Sequence, residues 1–258
     1  MIYGTDQLRG PQDFPSLWRL GLGSVDIQTL IQWNVPSQGN AAIIGNVLIA
    51  NLAQPILSVI YFVYNGILTC MLAGLEWSQY AWQKKGLRIS VIPQGSQRSS
   101  YFLQLPYRYG IAVVVVSGLL HWLVSQSLFL VAVVRSSPLG SEKSLETLCN
   151  GSCERIRLTC GWSPMAVLFV ILIGCLMIIT VLMLSQRRHK KGIPLVANKS
   201  TAIAACCQLA ERDGSKSLSH QPVMWGVVRL PQDDIAGHCS FTFKDVDCPI
   251  EGQIYSGL

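Results

Sequence analysis

The sequence predicts an all-α membrane protein: three transmembrane helices with an irregular cytoplasmic loop and a largely irregular C-terminal tail. Two observations carry that reading. Half of the 258 residues are apolar and 13% are charged, against about 25% in soluble domains. Three long stretches, Ile27 to Leu75, Tyr109 to Val134 and Gly161 to Gln186, hold no charged side chain. Each supplies the ~20 apolar residues that cross a bilayer core. Residues 1–40 are mixed and polar, without the charged start and short apolar block of a secretory signal.

Taken in order, the chain reads as an extracytoplasmic N-terminal segment (1–40), a first helix (41–75), a basic cytoplasmic loop (76–108), a second helix (109–134), a Cys-containing extracytoplasmic loop (135–162), a third helix (163–186) and a cytoplasmic tail (187–258). Lysine and arginine placement sets the orientation. Lys84, Lys85, Arg88, Arg98 and Arg108 follow the first helix against Glu76, and Arg187, Arg188, Lys190 and Lys191 follow the third. The N-terminal segment balances Arg9 and Arg19 with Asp6, Asp13 and Asp26, and the loop 135–162 balances its cations with Glu142, Glu146 and Glu154. The amino terminus is therefore expected outside and the carboxyl terminus in the cytoplasm, of a plasma membrane or endomembrane alike. The net charge of +6 then reports topology. Expected partners are the lipid bilayer and other transmembrane helices or further copies of the chain. Nucleic acid is not among them, because no binding motif surrounds these short clusters.

Polar groups inside the apolar stretches need partners, since desolvating one unpaired costs roughly 2–7 kcal/mol. Asn51, Gln54, Ser58, Tyr61 and Asn65 recur at helical spacing and share one stripe of the first helix. Pro55, within the stripe, lacks an amide hydrogen and frees the carbonyl of Asn51. On the second helix Ser117, His121 and Ser125 share a face, with Gln126 beside them. The plain reading is glue: hydrogen bonds between helices, each worth about 0.6–2 kcal/mol. The sharper reading is part of a transporter or channel that uses the polar stripe of the first helix and His121, the one ionisable group deep in any span. The third helix opens on Ser163-Pro164, as proline favours in a first turn, and continues almost without polar interruption.

The loops carry further candidates. Asn150-Gly-Ser152 is a glycan acceptor in the outer loop, flanked by Cys149 and Cys153 with Cys160 nearby. An oxidising compartment lets two of those three thiols pair, and spacing leaves open which two. The basic loop mixes its cations with Tyr101, Phe102 and Tyr107, a composition suited to anchoring on anionic lipid headgroups at about 1 kcal/mol per cation, or to an acidic partner or phosphoinositide. The tail holds Cys206, Cys207, His220, His238, Cys239 and Cys248. Cys206, His238 and Cys239 make a membrane-tethered metal module conceivable, yet the paired CxxC spacing of a zinc site is missing. No metal and no cofactor is assigned. The sequence has no nucleophile and base motif, phosphate loop or HExxH, so no enzyme is expected.

YFVYNGILTCMLAGLEWS (61–78), KKGLRISVIPQGSQRSSYFLQLPYRYGI (84–111), SGLLHWLVSQSLFLV (117–131), CGWSPMAVLFV (160–170) and GHCSFTFKDVDCPIEGQIYSGL (237–258) resemble the C-terminal half of a family of uncharacterised multi-pass membrane proteins from filamentous fungi. The resemblance covers nearly the whole chain from about residue 40. It implies a membrane location and, upstream in full-length members, a domain of unknown function with further spans. It implies no activity. Relatives tend to read Ala-Ala-Cys-His where this chain has Ala204, Ala205, Cys206 and Cys207, a departure that weakens any inherited metal site. The expected function is a structural or interaction component of a helical membrane assembly.

The orientation is directly testable. Expression in a glycosylating host should place a glycan on Asn150 and leave Asn198, which heads the same acceptor pattern in the tail, bare. A glycan on Asn198 would invert the topology.

Overall fold

A computed structural model describes residues 13–19, 21–25, 29–31, 39–135, 155–189, 191–195, 199–207, 218–232 and 236–256. In chain order its elements are helix α1 (Phe14–Arg19), strand β1 (Leu30–Ile31), helix α2 (Gly39–Gln79), strands β2 (Arg88–Ile89) and β3 (Arg98–Ser99), helix α3 (Tyr107–Ser127), strands β4 (Leu128–Arg135) and β5 (Arg155–Trp162), helices α4 (Pro164–Ser185) and α5 (Ser200–Cys206), and strands β6 (Met224–Arg229), β7 (Gly237–Thr242) and β8 (Tyr255–Ser256). Helices α2, α3 and α4 are long and apolar enough to cross a membrane. The expectation of an all-α fold is overturned. The described residues include three β-sheets, and the architecture is mixed α/β.

The chain divides into two compact units, residues 1–62 with 114–179, and residues 63–113 with 180–258. The division passes through α2, α3 and α4. Helix α2 has 41 residues, about twice the ~20 that a hydrocarbon core takes.

In the first unit the sheet order is β1-β5-β4, both pairs antiparallel. The second helix, expected to reach Val134, ends at Ser127, and Leu128–Arg135 pairs in register with Arg155–Trp162. Two local causes act there. The hydroxyls of Ser125 and Ser127 bond back to the carbonyls of Trp122 (2.6 Å) and Val124 (2.8 Å), closing the last turn, while Ser163 N–H takes the Ser127 carbonyl at 3.0 Å. Beyond it Leu-Phe-Leu-Val-Ala-Val-Val is rich in β-branched and aromatic residues. Gly161 lets the strands close, since a Cβ there would lie 2.7 Å from the Phe129 ring. Cys160 is buried and has no disulfide partner among the described residues, its Sγ 3.5 Å from Asn46 Oδ1. Cys149, Asn150, Cys153 and Asn198 lie outside the described residues.

The second unit corrects the picture of an irregular loop and tail. Strands β6, β7 and β8 form one sheet, β6 antiparallel and β8 parallel to β7. The segment after α2 joins it: Lys85 and Val223 exchange backbone hydrogen bonds of 3.0 and 2.9 Å, and Trp225 N–H donates to the Tyr80 carbonyl at 2.9 Å. Tyr80, Ala81, Ile193, Cys206, Val223, Trp225, Cys239 and Phe241 bury together as its core. The Phe241 ring meets Trp77 and Tyr80 edge-on at 5.4 and 5.6 Å. Two indoles fasten the chain that leaves α4: Trp77 Nε1 donates to the Pro194 carbonyl (2.9 Å) and Trp82 Nε1 to the Lys191 carbonyl (3.0 Å). The apolar residues of loop and tail, each too sparse for a core, complete one another.

Replacing Phe241 by Ala should therefore destabilise this unit by about 3–5 kcal/mol. Hydrogen exchange in the detergent-solubilised protein should show faster exchange of the β6 and β7 amides. Unchanged protection would contradict the shared core.

Candidate functional site

Of the polar stripe on α2, one residue reaches the second apolar helix. Gln54 Nε2 donates to the backbone carbonyl of His121 at 3.2 Å, and Gln54 Oε1 lies 2.6 Å from His121 Nδ1. The amide orientation that donates to the carbonyl leaves Oε1 as acceptor, so Nδ1 carries the hydrogen. Three others turn to their own helix. Asn51 Nδ2 donates to the Val47 carbonyl (2.8 Å) and Ser58 Oγ to the Gln54 carbonyl (3.1 Å). Tyr61 stacks edge-on against Phe62 at 5.7 Å, and Asn65 Oδ1 is buried without a partner among the described residues. On α3, Ser117 is half-buried, Ser125 bonds within its helix, and Gln126 Nε2 reaches Ser125 Oγ at 3.4 Å.

The sheet separates His238 from Cys206 and Cys239, the two thiols considered with it for metal. Cys206 and Cys239 are free thiols in the apolar core, whereas His238, adjacent to Cys239 on β7, points to the opposite face and lies 3.2 Å from Ser256 Oγ through Nδ1. Among the described residues no three His, Cys, Asp or Glu side chains gather as a metal site. Burial, with the neighbouring Cys206 adding to it, pushes the Cys239 thiol up to about 11.

Sequence reasoning missed a cluster around Glu76. Its carboxylate accepts from Arg88 Nε at 2.8 and 3.1 Å and from Arg98 Nη2 at 3.2 Å. Arg88 also donates to the Ser99 carbonyl (2.9 Å) and to the Tyr101 hydroxyl, its guanidinium 3.7 Å from that ring's centroid. Arg98 Nε donates to the Gly86 carbonyl at 3.1 Å. One signal could have exposed the cluster. Between Asp26 and Glu142, Glu76 is the one acidic residue, and five cations follow it closely.

The cluster forms one wall of a cavity of about 540 Å³, lined also by Lys85, Arg108 and Arg187. Five cations against one carboxylate leave a net charge of four. Lys85 is held below the usual lysine range by burial first and then by the Arg98 charge, with Glu76 acting the other way. Gln104 in the lining, and Leu103 before it in the chain, adopt left-handed backbone, φ 57° and 55°, a conformation costing non-glycine residues about 1–3 kcal/mol each. A second cavity of about 600 Å³ in the same unit is mainly apolar, walled by Trp82, Ile193, Trp225, Cys239 and Tyr255.

The family described as Domain of unknown function (DUF8419) matches residues 7–236. The chain belongs to that family. The DUF8419 match takes in all three long apolar helices, the Gln54–His121 pair, the basic cavity and β6. No curated protein and no solved structure matches the chain.

Two outcomes follow for this DUF8419 chain. Glu76→Gln removes the counter-charge of Arg88 and Arg98 and should cost about 1.5–3 kcal/mol, read as a lower melting temperature in detergent; an unchanged temperature would make the cluster incidental. A thiol whose pKa folding raises contributes stability below its ordinary value of 9.0, and loses it as the pH climbs through about 11. Stability should fall across that window, less steeply in Cys239→Ala; identical slopes would contradict burial of the thiol.

Proposed function

We propose that the chain is a multi-pass membrane protein without catalytic activity that serves as a structural or interaction component of a helical membrane assembly. The Gln54–His121 pair supports this reading most directly. It commits Nδ1 of the ring to a bond from helix to helix, the use expected of glue. The outward residues of the apolar helices, among them Leu48, Phe62, Val115, Leu172 and Met183, are exposed and suit lipid, other helices or a further copy of the chain. In this reading the amino terminus and the glycan-bearing loop lie outside, and the tail is cytoplasmic. The resemblance to the C-terminal half of longer fungal proteins belongs to the same proposal.

The competing reading is a transport pathway through His121, and substitutions at that residue separate the two. Gln and Asn keep a donor and an acceptor but cannot titrate. With His121 as glue, His121→Gln should preserve expression and assembly, while His121→Leu should weaken helix association by about 1 kcal/mol, measured by unfolding in detergent. A Gln variant that folds normally yet abolishes pH-dependent flux in reconstituted vesicles would favour transport instead.

A further inference from the structure

The cavity beside Glu76 holds more positive charge than its own fold uses. Arg88 and Arg98 are engaged with Glu76 and with backbone carbonyls, and Lys85 Nζ bonds the Gln79 amide oxygen. Arg108 and Arg187, exposed on the same cavity, have no carboxylate partner among the described residues. Arg108 lies over the Tyr109 ring, 4.7 Å from its centroid. Guanidinium groups in that state suit phosphate, which takes their paired donors in parallel. The neutral lining adds hydroxyl and amide groups from Ser100, Tyr101 and Gln104, which suit the hydroxyls of a polyol ring. A volume of about 540 Å³ falls within the range of roughly 300–1,000 Å³ that encloses small organic ligands, well beyond what a single phosphate needs. Gln104, one of the lining residues, has left-handed backbone, a strain that commonly accompanies a binding function.

We propose that this cavity binds a phosphorylated polyol, either the headgroup of a phosphoinositide or the soluble inositol phosphate. Arg108 and Arg187 are the principal phosphate donors, and Lys85 supports them. The lining comes from the last turns of α2, the start of α3 and the residue run just after α4, chain segments that lie at the cytoplasmic surface in the topology proposed above. The lipid source rests on that topology; the binding chemistry does not.

The test uses the full chain in phosphatidylcholine nanodiscs, which expose both membrane faces. Inositol trisphosphate titrated by calorimetry should bind saturably, and inorganic phosphate far more weakly. Arg108→Gln and Arg187→Gln should each weaken binding by about tenfold, with hydrogen exchange of β6 and β7 unchanged. Lys84→Gln, which removes the cation of the Lys84–Asp245 pair and lies outside the cavity lining, should leave affinity as it was. Competition by phosphatidylinositol bisphosphate in the disc assigns the lipid source, and its absence assigns the soluble one. Three results would overturn the site: no saturable binding, binding that survives both arginine substitutions, or equal competition by phosphatidylserine. A glycan on Asn198 would refute the topology and leave these titrations untouched, so the two failures are distinguishable.

Discussion

A carboxylate near the end of a helix stands where the backbone carbonyls already concentrate negative potential, and it is disfavoured there unless a cation answers it. Glu76, in the last turn of α2, is answered twice. Arg88 and Arg98 lie on the paired segments β2 and β3, so meeting the charge of one side chain folds the loop between Gln79 and Pro106 back onto the helix that precedes it. That loop then presents Tyr80, Ala81 and Leu87 to the tail, and the edge at Lys85 to Val223. The two ion pairs of Glu76 thus wall the basic cavity and hold in place a loop that carries part of the second unit's apolar core.

The sequence reveals the three apolar helices because a bilayer core punishes charge so heavily that its absence over some twenty residues is a strong signal. Nothing as strong marks the strands. Leu128–Arg135 continues the apolar run of α3 without a break, and a short apolar run does not distinguish helix from buried strand by periodicity. Its partner Arg155–Trp162 does alternate, with Ile156, Leu158, Cys160 and Trp162 on one parity, but a strand with no visible mate reads as loop. The tail segments met the same obstacle: Val223, Trp225 and Val227 alternate, while the residues that bury them come from the far side of two helices in the sequence.

The candidate sites show a similar division. Helical spacing made the polar stripe of α2 and the face around His121 legible, because spacing is a property of one element. Which members meet depends on how two elements approach, and of the five on α2 it is Gln54 that reaches His121. The basic loop was legible as charge, and charge near a membrane reads first as a general attraction to headgroups. Its organisation into a walled cavity depends on the position of Glu76, which a count of cations treats merely as one unit of subtraction.

Trp77 and Pro194 are 117 residues apart in the chain, and Ala81 and Cys248 are 167 apart. Two long apolar helices lie between the halves of this core. At the ~5–20 residues per second of ribosomal synthesis, Trp77 waits roughly 6 to 23 seconds after it is made before its acceptor exists. Throughout that interval Trp77, Tyr80 and Leu87 have no tail to cover them. The nascent protein thus carries an uncovered aromatic surface on its growing chain, and the completion of this unit is timed by the biogenesis of α3 and α4.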